Sequence, residues 1–132
     1  MKTYPTQVRL VIKDFPLDNH KDAPKAAEAA RCAADQQRFW DYHDKLFANT
    51  TLDLSNLKNF AKELGLDTEA FAQCLDGETY RSQVQKDLIE GQKLGVTSTP
   101  TFFVNGRLLS GSQSFQRFQK LIDRELTRQA KP

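Results

Sequence analysis

Thiols are scarce in this sequence: Cys32 and Cys74 are the only two cysteines in 132 residues. They lie too far apart to form a Cys-x-x-Cys pair, in which one thiol sits at a helix N-terminus and the second follows a turn later. Neither is therefore expected to be a low-pKa nucleophile. Histidine is equally sparse, with His20 and His43 only, and two histidines with two cysteines at such scattered spacing match no zinc pattern. No metal site and no cofactor are expected. No apolar run approaches the ~20 residues needed to span a bilayer, and Met1 to Pro5 lacks the apolar core of a signal peptide. With Met1 as the true start, the expected location is cytoplasmic. Charge of one sign is not in excess: 19 basic and 17 acidic residues are interspersed for a formal net charge of +2, which argues against a dedicated nucleic-acid or anionic-membrane surface. A glycine-rich phosphate loop, a nucleophile elbow and a carboxylate pair singled out by context are all missing. Asp14 and Glu28 are expected to be solvated or capping groups.

What is present reads as one domain over residues 1–132, mixed in secondary structure. Val8, Leu10 and Ile12 alternate with Arg9, Val11 and Lys13, the period-2 pattern of a half-buried strand. Asp22 with Pro24 in the first turn opens a helix through the alanine-rich run to Ala34. From about Arg38 to Ala48, Phe39, His43 and Phe47 recur at i, i+4 and i+8 beside Trp40, which predicts an aromatic core anchor with His43 as a satisfied core histidine. Ser55 is the expected cap of a helix carrying Leu57, Phe60, Ala61 and Leu64, closed by Gly65-Leu66. Asp67 caps the next, with Phe71, Cys74 and Leu75 inward and Gly77 as its stop. A long helix follows from Tyr80 to Leu94, and Phe115, Phe118, Ile122 and Leu126 stripe a C-terminal one.

Between these last two helices lies the stretch Leu94 to Gly106. Gly95 ends a helix at no side-chain cost, and Thr97-Ser98-Thr99 leads into Pro100, a candidate cis turn because only proline makes that isomer cheap. Thr101 to Val104 is β-branched and aromatic, Asn105-Gly106 is a hairpin signal, and Arg107 to Ser110 returns as the second strand.

This stretch resembles the cis-proline region of the thioredoxin superfamily, and most closely that of the DsbA-like disulfide oxidoreductases. Val8 to Leu17 resembles that family's second core strand, Ala26 to Ala33 the start of its helical insertion, and Phe39 to Phe47 the helix after it. The implied fold is α/β, a thioredoxin-like sheet with a helical insertion at about 22–94. One departure stands out: the family's first core strand and its Cys-x-x-Cys should precede Val8, and only seven residues, Met1 to Gln7, do so. The first core strand is thus missing, and no catalytic residue is expected in this chain.

By the same resemblance, Thr99 and Pro100 bind substrate, because the residue before the cis-proline faces the active-site sulfurs and its backbone pairs with the substrate chain. The implied partners are protein or peptide thiols and disulfides, and the family's location is periplasmic or exported. Cys32 and Cys74 have three readings: a structural disulfide, two buried thiols acting as small hydrophobes, or a redox-sensor pair. For the whole chain, a truncated oxidoreductase domain inactive on its own stands against a non-catalytic thioredoxin-like interaction module, and a DsbA-like isomerase or transferase with its nucleophile upstream is a third reading. Without its central strand, the sheet is expected to satisfy its edges by pairing two chains as a homodimer.

Overall fold

A computed structural model describes residues 2–130. The described chain divides into two compact units, Lys13–Gly91 and the combination of residues 2–12 with 92–130.

The first unit is helical. α1 (Ala23–Ala34), α2 (Phe39–Phe47), α3 (Leu54–Glu63) and α4 (Thr68–Asp76) are followed by α5 (Arg81–Lys93), which runs on past Gly91. Asp22 is the N-cap of α1, although its carboxylate makes no capping hydrogen bond, and Pro24 falls in the first turn, where a missing N–H is no loss. α3 is capped by Asp53 rather than Ser55: the Asp53 backbone is extended, as a cap requires, and its carboxylate accepts from Asn56 N at 2.9 Å, whereas Ser55 is already helical. Asp67 caps α4 by accepting from Ala70 N at 3.0 Å. Gly65 takes a positive φ after α3, so that Leu66 N can reach back to the Ala61 carbonyl and the Leu66 side chain is buried.

The helical core forms around the small residues of α1. Ala26, Ala29, Ala30, Cys32 and Ala33 are buried with Tyr42, Leu57, Phe60, Ala61, Leu66, Phe71 and Leu75. Short side chains let α2, α3 and α4 approach α1 closely. The expected anchor of α2 is corrected here, because Phe47 is 81% exposed and Trp40 50%, whereas Tyr42 is entirely buried. Phe39, Tyr42 and Leu46, at i, i+3 and i+7, face the core instead. This stripe wins because the Tyr42 hydroxyl finds a buried acceptor, donating to the Leu57 carbonyl at 2.7 Å, while the ring lies against Phe71 with centroids 5.5 Å apart.

In the second unit, β1 (Thr101–Val104) and β2 (Arg107–Ser110) form an antiparallel hairpin with Phe102 opposite Leu109 and Phe103 opposite Leu108. Asn105 and Gly106 turn it with φ of 49° and 82°, the two left-handed positions that a tight hairpin of this hand demands. α6 (Phe115–Ala130) covers one face, where Phe118 meets Phe102 edge-on at 4.8 Å. Of the α6 stripe, Phe118, Ile122 and Leu126 are half-buried, but Phe115 is exposed. Buried Glu125 ties α6 to β2 through Arg107 and is also held by Arg128, with Nη2 at 2.8 Å. Tyr4 donates to Asp123 at 2.6 Å and so pins the first residues onto α6.

Val8 to Leu17 does not form the expected strand. Among the described residues β1 and β2 are the only strands. A strand exists by pairing, and the Val8 run has no ladder partner, so Leu10 and Val11 are left exposed.

Candidate functional site

The corner before β1 is built by short-range bonds. The Thr101 hydroxyl donates to the Ser98 carbonyl at 2.7 Å, and the Pro100 carbonyl accepts from Gly111 N at 2.8 Å, which carries the ladder one step beyond Thr101 and Ser110. The Thr99–Pro100 peptide bond is cis, and both residues are exposed. β1 pairs with β2 on one side only. An exposed corner beside an unpaired strand edge is the geometry onto which an extended peptide can add as a further strand.

Cys32 and Cys74 lie in the helical unit, where they are joined as a disulfide between α1 and α4, 42 positions apart with their Cα atoms at 5.9 Å. No cysteine is free. Cys32 is part of the core, and Cys74 is half-buried. His43 is half-buried on α2, its ring stacked between Phe47, at 4.5 Å, and Phe39, at 5.9 Å. Its Nδ1 is buried without a hydrogen bond, so the expected satisfied core histidine is not what the structure contains. His20 is exposed in the loop before α1. Among the described residues no group of three or more His, Cys, Asp or Glu could hold a metal ion.

Asp14 and Glu28 are buried or nearly so, contrary to the solvated role expected of them. Arg31 Nε donates to Asp14 Oδ2 at 2.8 Å and its Nη2 to Asp87 Oδ2 at 2.7 Å, while Asp14 N donates to that same Asp87 oxygen at 3.0 Å. Gln83 adds a bond to Asp87 Oδ1 at 3.1 Å. The Asp87 side chain is 1% exposed. Burial raises the Asp14 carboxyl above the ordinary aspartate range, and Arg31 opposes that rise only in part. Glu28 has Lys25 Nζ at 3.6 Å from an oxygen with no hydrogen bond. These partners are distant in sequence and polar, so a pattern search that looks for apolar periodicity has no signal to find them by. In the hairpin unit, hydrogen bonds from Arg107 and Arg128 hold the Glu125 carboxyl below its usual range against the opposing effect of burial.

A helical insertion, a hairpin entered through a cis-proline corner and a flanking helix define a thioredoxin-like α/β protein. The family model described as Thioredoxin matches residues 2–124, and the chain belongs to that family. Its relatives include disulfide bond formation proteins. The chain is 31% identical over 129 residues to the probable disulfide bond formation protein D of Bacillus anthracis, a match covering 91% of this chain and 58% of that protein. It is 40% identical over 106 residues to a protein of Herminiimonas arsenicoxydans named Na(+)/H(+) antiporter NhaA, covering 80% of this chain and 17% of that one. The crystal structure of a thioredoxin-like oxidoreductase from Silicibacter pomeroyi superposes with a TM-score of 0.78 at 25% identity, covering 87% of this chain and 66% of that chain. The chain thus spans less than two thirds of the curated relatives it matches. No helix among its described residues is long and apolar enough to cross a membrane.

Proposed function

We propose that this chain is the substrate-pairing and helical part of a DsbA-like thiol:disulfide oxidoreductase, a single thioredoxin-like domain that does not catalyse exchange on its own. One observation carries the reading: the only two cysteines are bonded to each other, within the helical unit. The exchange reaction needs a thiolate that attacks a substrate disulfide, forms a mixed disulfide and releases the substrate's other sulfur as a thiolate. No residue here supplies it. Thr99 and Pro100, beside the unpaired edge of β1, are the proposed contacts for an extended protein or peptide substrate. The purified chain is expected to reduce insulin no faster than an equal concentration of a free monothiol; turnover above that background would overturn the reading.

The Cys32–Cys74 bond favours an exported, oxidising location over the cytoplasmic one, because structural disulfides persist where thiols are not kept reduced. The proposed assembly is a homodimer, supported by the free edge of β1 and by Phe103 and Leu108, cross-strand neighbours that are both exposed on the face of the hairpin opposite Phe102. Light scattering at micromolar concentration is expected to give twice the chain mass, and a monomer mass would remove this part of the proposal.

The exposed Trp40 and Phe47 favour a second reading, a non-catalytic interaction module whose contact surface includes α2. Trp40 is the sole tryptophan. A shift in its emission on adding unfolded polypeptide would support this reading, and an unchanged spectrum would oppose it.

A further inference from the structure

We propose that Asp35 guards the Cys32–Cys74 disulfide, its carboxylate standing beside the one sulfur that a reductant can reach and keeping this bond out of thiol exchange. Cys32 is 1% exposed, whereas Cys74 is half-buried, so Cys74 is the cysteine of the pair nearer to solvent and to an external thiolate. Asp35 Oδ2 lies 3.9 Å from that sulfur. The side chain is held there from two directions. Asp35 is the C-cap of α1, with its backbone N–H bonded to the Arg31 carbonyl at 3.3 Å, and the Tyr80 hydroxyl donates to its Oδ1. That hydrogen bond raises the Tyr80 hydroxyl above its ordinary range and keeps it a donor. Arg31, one helical turn earlier, bonds Asp14 and Asp87 rather than Asp35, although its charge reaches the Tyr80 hydroxyl.

Reduction by a monothiol runs in two steps. A thiolate of the reagent attacks Cys74 Sγ, the bond between the two cysteines breaks, and Cys32 leaves as a thiolate carrying the bonding electron pair. A second reagent thiolate then attacks the reagent's sulfur in the mixed disulfide and expels the Cys74 thiolate. The two reagent molecules end as one linear disulfide, and both cysteines take up protons. The structure opposes each stage. The incoming thiolate approaches against the charge of Asp35. The Cys32 thiolate would be released inside a core that includes Ala29, Ala33 and Leu75, where an anion is poorly solvated. The Cys74 thiolate would form next to a carboxylate, whose like charge opposes it. A staple of this kind survives beside thiol-exchange chemistry.

The test measures reduction of the full native chain by three monothiols that differ in charge, the cationic 2-aminoethanethiol, the neutral 2-mercaptoethanol and the anionic 2-mercaptoethanesulfonate, with rates expressed per thiolate and followed by mass spectrometry. Like charges 4–6 Å apart in a water-like dielectric change a rate by roughly three- to sixfold. The expected wild-type order is cationic, then neutral, then anionic. Because each reagent attacks as a thiolate, Asp35→Asn is expected to speed all three, the anionic one most, and so to compress the spread, while Tyr80→Phe, which keeps the charge but frees one side of the carboxylate, keeps the order and changes the spread less. Equal acceleration of all three reagents by Asp35→Asn, matched by the same acceleration in Tyr80→Phe, would mean loosened packing rather than charge. Rates independent of thiol concentration would mean that reduction waits on unfolding. Either result overturns the proposal, as does an unchanged spread.

Discussion

Opening the Cys32–Cys74 bond is expected to lower the unfolding free energy by about 4 kcal/mol, the chain-entropy value for closing a loop of 42 residues. For a chain of this size that corresponds to a fall in melting temperature of roughly 10–20 °C. The effect should be this large because the bond joins α1 to α4 across the centre of the helical core, and the loop it closes contains α2 and α3 as well. In the unfolded chain the bridge restricts all of that segment. Calorimetry of the oxidised and reduced chain, with the Cys32→Ala/Cys74→Ala variant as the control that cannot re-oxidise, measures it. A reduced chain that melts within about 2 °C of the oxidised one would show that the helices hold their packing without the bond.

Arg31→Met is expected to be as severe, at about 3–5 kcal/mol, because it leaves two buried carboxylates with no hydrogen-bonded cation, only the exposed Lys13 Nζ 4.0 Å from Asp87. The Asp87 side chain is 1% exposed and that of Asp14 10%, so water cannot replace the guanidinium. Part of the loss should return when Asp87→Leu is added, since an apolar side chain needs no counter-charge. The dependence on pH has a definite sign. The Asp14 carboxyl is raised in the folded protein, so the folded state holds its proton more tightly than the unfolded chain does. Its contribution to stability is therefore complete below the ordinary aspartate range and is lost as pH rises through the raised value. Removing Arg31, which works against the rise, should strengthen that trend. Chemical denaturation between pH 4 and 7 is expected to show Arg31→Met losing more stability relative to wild type as pH rises. A gap that narrows with rising pH would contradict the buried-pair account.

The boundaries of the helices were legible to within a residue or two wherever a local rule governs them. Pro24 belongs in a first turn, Asp67 reaches the amide of Ala70, and Gly65 can take the backbone conformation that ends α3. The hairpin was legible for the same reason, because Asn105-Gly106 meets its φ requirement locally. Where two neighbouring residues could satisfy one rule, the reading slipped: Asp53 and Ser55 are both good caps, and only the backbone settles which one is outside the helix. On α2 the slip was larger. Phe39, His43 and Phe47 make the more apolar stripe, yet the face bearing Tyr42 turned inward because Leu57 offers its hydroxyl an acceptor 15 positions away.

The candidate site divides along the same line. The Thr99–Pro100 corner could be placed from sequence because its residues, and the Ser98 carbonyl that Thr101 bonds, are contiguous. The pairing of Cys32 with Cys74 could not be decided among its three readings, since the distance between two helices is set by the alanines between them and not by the cysteines themselves. The Asp14, Arg31 and Asp87 cluster gave no sequence signal at all. Sequence by itself determined what depends on one residue and its near neighbours: caps, turns, helix periods, and the absence of a Cys-x-x-Cys pair. Tertiary structure alone decided which face of α2 is buried, which charges lose their water and find one another, and whether Val8 to Ile12 becomes a strand. Each of these depends on a partner far along the chain or on the lack of one, and the free energy that settles it arises only when the surfaces meet.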